Sequence, residues 1–281
     1  KEQYYALYRV TSRHLRKCFG NTIKIGGYGG SGFYVVDNGD ISKYISAAVG
    51  MEQHMQKPEF SVWERRTMHF VDFFDKFIDM VVKENLPLDF FSHHSYMDVR
   101  LTTRVQKYAE RLLEEAGYPD IEIHLNEWNT DRTRETRGTT KAAADVAAMM
   151  MAMHATKMSV MCYYDARVGI SVYGGLFNPM TYEPYCTYYS FKAFGKLYAL
   201  GDQIEITGDL DDGLYAMAAT NGIEQGILIA NIGEEKEIET NLGRGYTAYL
   251  IDEKHMMTKK RLSVKHFKLK QYETLYLEKN S

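Results

Sequence analysis

Along residues 1–200 the apolar positions switch repeatedly between a helical period and a strand period. Residues 1–18 spread Tyr5, Leu7, Tyr8, Val10, Leu15 and Cys18 around an amphipathic helix, and Asn21 to Ile25 follows as a short strand. Ser61 and Glu64 form a capping-box pair that opens a helix carrying Phe70, Phe73, Phe74, Phe77 and Met80. Leu88 to Tyr96 reads as the next strand. A helix from Thr102 to Glu115 then stops at Gly117 and Pro119, because glycine accepts the left-handed position past a helix end and proline cannot continue the helix. Ile121 to Asn129 is the third strand. Thr139 or Thr140 caps an Ala- and Met-rich helix to Lys157, Ser159 to Tyr164 is the fourth strand, and Tyr185 to Leu200 is a further helix. After Gly201 the pattern changes to short alternating runs, such as Leu214 to Ala219, Gly226 to Asn231, Tyr246 to Ile251 and Thr274 to Leu277. Gly, Asn and Asp turns divide them, which predicts a small all-β module.

Strand and helix in alternation, joined by right-handed crossovers, make a parallel sheet covered by helices. That leaves a doubly wound sheet or a (β/α)8 barrel. Polar residues gather at the C-terminal ends of all four strands, at Gly26 and Gly27, His93 to Tyr96, Asn126 to Asn129, and Tyr163 to Asp165. A barrel builds its site around that whole rim, whereas a doubly wound sheet concentrates it at one switch point. The expected fold is therefore α/β: the C-terminal half of a (β/α)8 TIM barrel over residues 1–200, strands five to eight, followed by a β-sandwich domain over residues 201–281. Strands one to four would precede Lys1. Half a barrel leaves two strand edges and half of its core open to water. A complementary N-terminal fragment or a homo-oligomer contact is expected to cover them.

Composition narrows the function class. Lys and Arg total 34 against 37 Asp and Glu, and 45% of the 281 residues are hydrophobic, so no charge excess points to nucleic acid or to a membrane surface. No apolar run approaches the ~18 residues of a membrane span. The three cysteines, Cys18, Cys162 and Cys186, stand at wide, unpatterned spacings that fit neither a disulfide framework nor a zinc site. Free thiols favour a reducing compartment such as the cytoplasm, although a chain opening on Lys1 without Met leaves its localisation open.

Three segments carry candidate chemistry. Gly27, Gly29 and Gly32 fit Gly-x-Gly-x-x-Gly, but Phe33-Tyr34-Val35-Val36 follows where a dinucleotide fold requires a helix. The segment reads as a strand-exit loop, with the stretch from Tyr28 to Phe60 available to cover a substrate. His93 and His94 are adjacent on a strand and point to opposite faces. One imidazole is expected at the barrel mouth, within reach of a carboxylate or a sugar hydroxyl, and the other under a helix; no metal or cofactor is implied. Glu127 is the sharpest feature. By the two-residue period it shares a face with Ile121, Ile123 and Leu125, and a buried acid costs several kcal/mol unless paired. Either it does chemistry or it forms a structural salt bridge with an Arg such as Arg132 or Arg134.

Asn126-Glu127-Trp128-Asn129 at a strand end, Asp89 to Tyr96 one strand earlier, Ile25-Gly26-Gly27 before that, and the helix Tyr188-Tyr189-Ser190-Phe191-Lys192-Ala193-Phe194 together resemble glycoside hydrolase family 39. The resemblance covers essentially the whole chain. It implies a retaining glycosidase of β-xylosidase or α-L-iduronidase type, acting on an oligosaccharide or glycoside, with Glu127 as the nucleophile of strand seven. His94 and Tyr96 fall on the family's His-x-Tyr. His94, Tyr96, Asn126, Trp128, Tyr164 and Asp165 are the implied substrate-binding residues; Trp128 would need a bulge at the strand end to bring its ring under a sugar. Arg132, Arg134 and Arg137, in the loop after the nucleophile, read first as a solvated loop and alternatively as facing an acidic sugar. The family's general acid/base, a glutamate in Asn-Glu-Pro before the helix matched by Tyr4-Tyr5-Ala6-Leu7-Tyr8, is absent from this chain. The isolated chain is expected to be inactive or feeble. The alternatives are a non-catalytic carbohydrate-binding protein on a degenerate or truncated barrel, a hydrolase using Asp165 as the acid, and an oxidoreductase built on the glycine segment.

Overall fold

A computed structural model describes residues 1–30, 62–130, 135–171, 174–208, 210 and 212–279. The chain divides into two compact units, Lys1–Trp128 with Thr156–Tyr163, and Asn129–Ala155 with Tyr164–Ser281. The first contains helix α1 (Glu2–Phe19), strand β1 (Gly26–Gly30), α2 (Val62–Lys83), β2 (Phe90–Ser95), α3 (Val99–Glu115), β3 (Glu122–Trp128) and β4 (Met158–Tyr163). Its strands form one parallel sheet in the order β1-β2-β3-β4. Spatial order follows chain order without the reversal that defines a doubly wound sheet.

Aromatic residues fill the layer between this sheet and its helices. Phe74 of α2 lies 4.6 Å from Phe91 of β2, and Tyr8 of α1 meets Phe77 edge-on at 4.8 Å. Three buried phenol hydroxyls find carbonyls: Tyr5 donates to Phe73 O, Tyr8 to Pro87 O and Tyr28 to Phe70 O. Burial pushes all three phenols above their ordinary pKa. A buried phenol hydroxyl needs an acceptor, and these carbonyls supply it.

The first strand departs from the expectation. Asn21 to Ile25 is a turn and an extended approach, and the glycine run itself is the strand, paired Gly26↔Phe90 and Gly27↔Phe91. Close packing explains why glycine occupies it. A Cβ on Gly26 would collide with the Phe90 carbonyl, and one on Gly27 would sit 2.7 Å from Tyr4 Oη and 3.3 Å from the Tyr8 ring. The glycines therefore serve strand packing, and the nucleotide fingerprint has no helix opening behind it among the described residues. Gly32, Ser61, Arg132, Arg134 and almost all of the stretch read as a cover lie outside those residues.

Helix α3 starts three residues earlier than its apolar pattern indicates, because Asp98 caps it and accepts from Leu101 N at 2.9 Å. It ends as expected, with Gly117 at φ 90°.

The second unit holds α4 (Thr140–His154), α5 (Cys186–Tyr198) and strands β5 (Asp202–Ile204), β6 (Leu214–Thr220), β7 (Gln225–Asn231), β8 (Lys236–Glu239), β9 (Tyr246–Ile251), β10 (Met256–Lys260), β11 (His266–Leu269) and β12 (Thr274–Lys279). Thr139 caps α4 by accepting from Ala142 N. An antiparallel six-stranded sheet, β10-β9-β12-β7-β6-β5, carries the two-stranded β11-β8 sheet on a core that includes Ile229, Leu250, Phe267, Leu269, Leu275 and Leu277. Helices α4 and α5 pack on each other, tied by Ser190 Oγ to Ala143 O at 2.8 Å, and against strands β6 and β7. This grouping places both helices with the β-module, whereas the chain pattern divides at residue 200. Among the described residues no helix is long and apolar enough to cross a membrane.

Candidate active site

The exits of β2 and β3 bring three candidate side chains together. Strand β3 carries one extra residue between Leu125 and Glu127: His93↔Leu125 is followed by His94↔Glu127, and Leu125↔Met161 is followed by Trp128↔Tyr163. Such a bulge reverses the alternation beyond it. Ile123 and Leu125 are buried in the helix-facing core, Asn126 is exposed, Glu127 is half-buried, and Trp128 returns to the core. The expectation that Glu127 continues the face of Ile121, Ile123 and Leu125 is thus overturned. The bulge frees it from that column.

Two polar side chains stand against Glu127. Tyr96 Oη donates to Oε2 at 2.8 Å, and His94 Nδ1 lies 3.2 Å from the same oxygen. Burial holds the His94 imidazole below its ordinary 6.5, outweighing the pull of the Glu127 charge in the other direction. Near neutral pH the ring is uncharged, so its approach to Glu127 is a close polar contact and not an ion pair. The other histidine turns away: His93 is fully buried and bonds Gln106 of α3 through Nε2 at 2.9 Å. The division expected for adjacent strand positions is the one the structure has.

The remaining sequence candidates fall in different surroundings. Trp128 is 1% exposed, with its ring edge-on to Tyr163 at 5.1 Å. A ring without an open face offers a sugar no stacking surface, so the reading of Trp128 as a substrate contact is corrected to a packing role. The bulge that would have freed it instead buries it. Tyr164 and Asp165 belong to the second compact unit. There Asn129 Nδ2 donates to Tyr164 O at 3.0 Å, and Asp165 Oδ2 accepts from Ser171 Oγ at 2.8 Å and pairs with Arg167 Nε at 2.9 Å. Arg137 donates to the Ser171 carbonyl in the same unit.

Gln106 and Thr102 were not identified from the chain pattern. The signal was available: both lie on the apolar stripe of α3 with Val99, Val105, Ala109 and Leu113, and both are fully buried. A polar residue inside an apolar stripe needs a partner.

No family model matches the chain, and no curated protein matches it in sequence. Solved structures do. The chain is similar to a glucosidase from Croceicoccus marinus, with TM-score 0.70 and 17% identity over 99% of this chain and 64% of that one. It is similar to a glycoside hydrolase family 39 β-xylosidase from Caulobacter crescentus, with TM-score 0.58 and 14% identity over 100% and 72%. A family 44 xyloglucanase from Paenibacillus polymyxa matches with TM-score 0.62 and 9% identity over 100% and 61%. The fold is that of glycoside hydrolases, the later part of a (β/α)8 barrel followed by a β-sandwich. The chain spans less than two thirds of the length of the glucosidase and of the xyloglucanase.

Proposed function

We propose that this chain forms part of a retaining glycoside hydrolase of β-xylosidase type, with Glu127 as its nucleophile. The observation that carries the reading is the anchoring of one oxygen of a strand-exit carboxylate, Glu127 Oε2, by Tyr96, with the His94 ring close beside it. The Tyr96 hydrogen bond on Oε2 leaves Oε1 as the attacking atom. Oε1 forms a bond to the anomeric carbon while the glycosidic bond breaks, its electron pair leaving on the aglycone oxygen, which takes a proton from a second carboxylic acid. Water, deprotonated by that same second residue, then displaces Glu127 and restores both groups. Asn126, which is exposed, is assigned to a sugar hydroxyl in this reading.

Retention needs two carboxyl groups ~5–5.5 Å apart. Asp165 is already engaged by Arg167 and Ser171 within its own unit. We therefore assign the acid/base to a residue outside these 281.

The test removes the need for that acid. A 2-deoxy-2-fluoro-β-xyloside with a dinitrophenolate leaving group departs without protonation, and the fluorine slows the second displacement. The expected result is a mass gain of one fluoroxylosyl group, mapped to Glu127 and abolished in Glu127→Gln. Sugar binding without any covalent gain would overturn the reading in favour of a binding protein.

A further inference from the structure

The polar side chains on the helix-facing side of β2 form two directed hydrogen-bond chains. Glu110 Oε1 accepts from Gln106 Nε2 at 2.8 Å and from Lys157 N, at the entry to β4, also at 2.8 Å. A carboxylate only accepts, so the Gln106 amide must turn its NH2 to Glu110 and its oxygen to His93. His93 Nε2, 2.9 Å from that oxygen, must then carry the proton. The second chain runs from Thr102 Oγ1, which donates to Met97 O at 3.4 Å, so that Ser95 Oγ, 2.7 Å away, donates to Thr102.

His93, Ser95, Thr102 and Gln106 are at most 1% exposed. Burying four polar side chains stabilises no more than apolar residues of the same shape would, and any one of them left unpaired costs about 1–3 kcal/mol. What such a network adds is a single geometry. It grips β2 at 93, 95 and 97, and the residues between those grips, His94 and Tyr96, are the two that reach Glu127.

We propose that Gln106 and Thr102 are positioning residues for the Glu127 site, gripping alternate residues of the β2 exit so that His94 and Tyr96 converge on one carboxylate oxygen. The inference rests on the preceding reading only in treating Glu127 as the functional carboxylate; its test reads no turnover, so the two can fail separately.

The experiment is ring-nitrogen NMR on the full chain labelled with ¹⁵N-histidine. In the unsubstituted protein His93 is expected in the Nε2–H form and His94 is expected to titrate below 6.5. In Gln106→Met, the His94 titration midpoint is expected to rise toward 6.5 as the ring leaves its buried place beside Glu127. Val105→Ala, a cavity on the same helix, should lower the melting temperature and leave both rings as they were. If Gln106→Met fails to fold, Thr102→Val, nearly isosteric, carries the same readout. An unchanged His94 midpoint in a folded variant would overturn the proposal.

Discussion

His93 and Asp75 should pull the acid stability of the barrel unit in opposite directions. Burial pushes the His93 imidazole from 6.5 down to about 4. Its contribution is full above pH 6.5 and is lost as pH falls toward 4, because the unfolded chain takes up a proton that the folded one refuses. A shift of ~2.5 units at ~1.4 kcal/mol each makes that loss on the order of 3 kcal/mol. Burial also pushes the Asp75 carboxyl of α2 from 3.8 up to about 6, against the Tyr108 hydroxyl that favours the charged form. The sign is reversed: its contribution is present below 3.8 and lost as pH rises through 6, so acidification restores on the order of 2 kcal/mol after discounting for solvent screening. The two nearly cancel in the unsubstituted protein. Asp75→Asn removes the compensation and should uncover a loss of about 3 kcal/mol between pH 6.5 and 4. The assay is urea unfolding, followed by tryptophan fluorescence, at half-unit pH steps. The readouts are differences between profiles, which cancel the other titrating groups: variant against parent reads Asp75, on the order of 2 kcal/mol, and single against double variant reads His93, on the order of 3 kcal/mol. Adding His93→Gln to the Asp75→Asn variant should flatten the profile again. Parallel profiles for Asp75→Asn and the parent would refute the reasoning, as would an acid slope that survives the double substitution.

Three further outcomes are expected. Tyr96→Phe removes a charge-assisted hydrogen bond to Glu127 worth ~1.5–3 kcal/mol, so covalent labelling of Glu127 should slow about 10- to 100-fold; an unchanged rate would detach Tyr96 from the chemistry. Gly27→Ala drives a methyl against Tyr4 and Tyr8 and should lower the free energy of urea unfolding by ~1–3 kcal/mol, whereas Gly195→Ala, in open space inside α5, should raise it by up to ~1 kcal/mol. Asp165→Asn should leave the labelling rate within a factor of two or so, since an activated leaving group needs no acid; a hundredfold loss would return Asp165 to the chemistry.

Local signals made much of this protein legible in its chain. The alternation of strand and helix, the Thr139 cap, the stop at Gly117, and a carboxylate at the exit of the third strand each follow from residues within a turn or two of one another. So does the division of His93 from His94, because adjacent strand side chains part to opposite faces. What the chain pattern could not supply depends on neighbours distant in sequence. The extra residue in β3 is defined only by its pairing with β2 and β4, yet it takes Glu127 out of the core column and returns Trp128 to it. The glycines of β1 resemble a loop until Phe90, Tyr4 and Tyr8 close on them. Gln106 looks like a flaw in an apolar stripe until His93 and Glu110 stand on either side of it. Periodicity and capping are properties of a segment, but register, close approach and the pairing of buried polar groups belong to the sheet and helices together, and only the folded chain sets them.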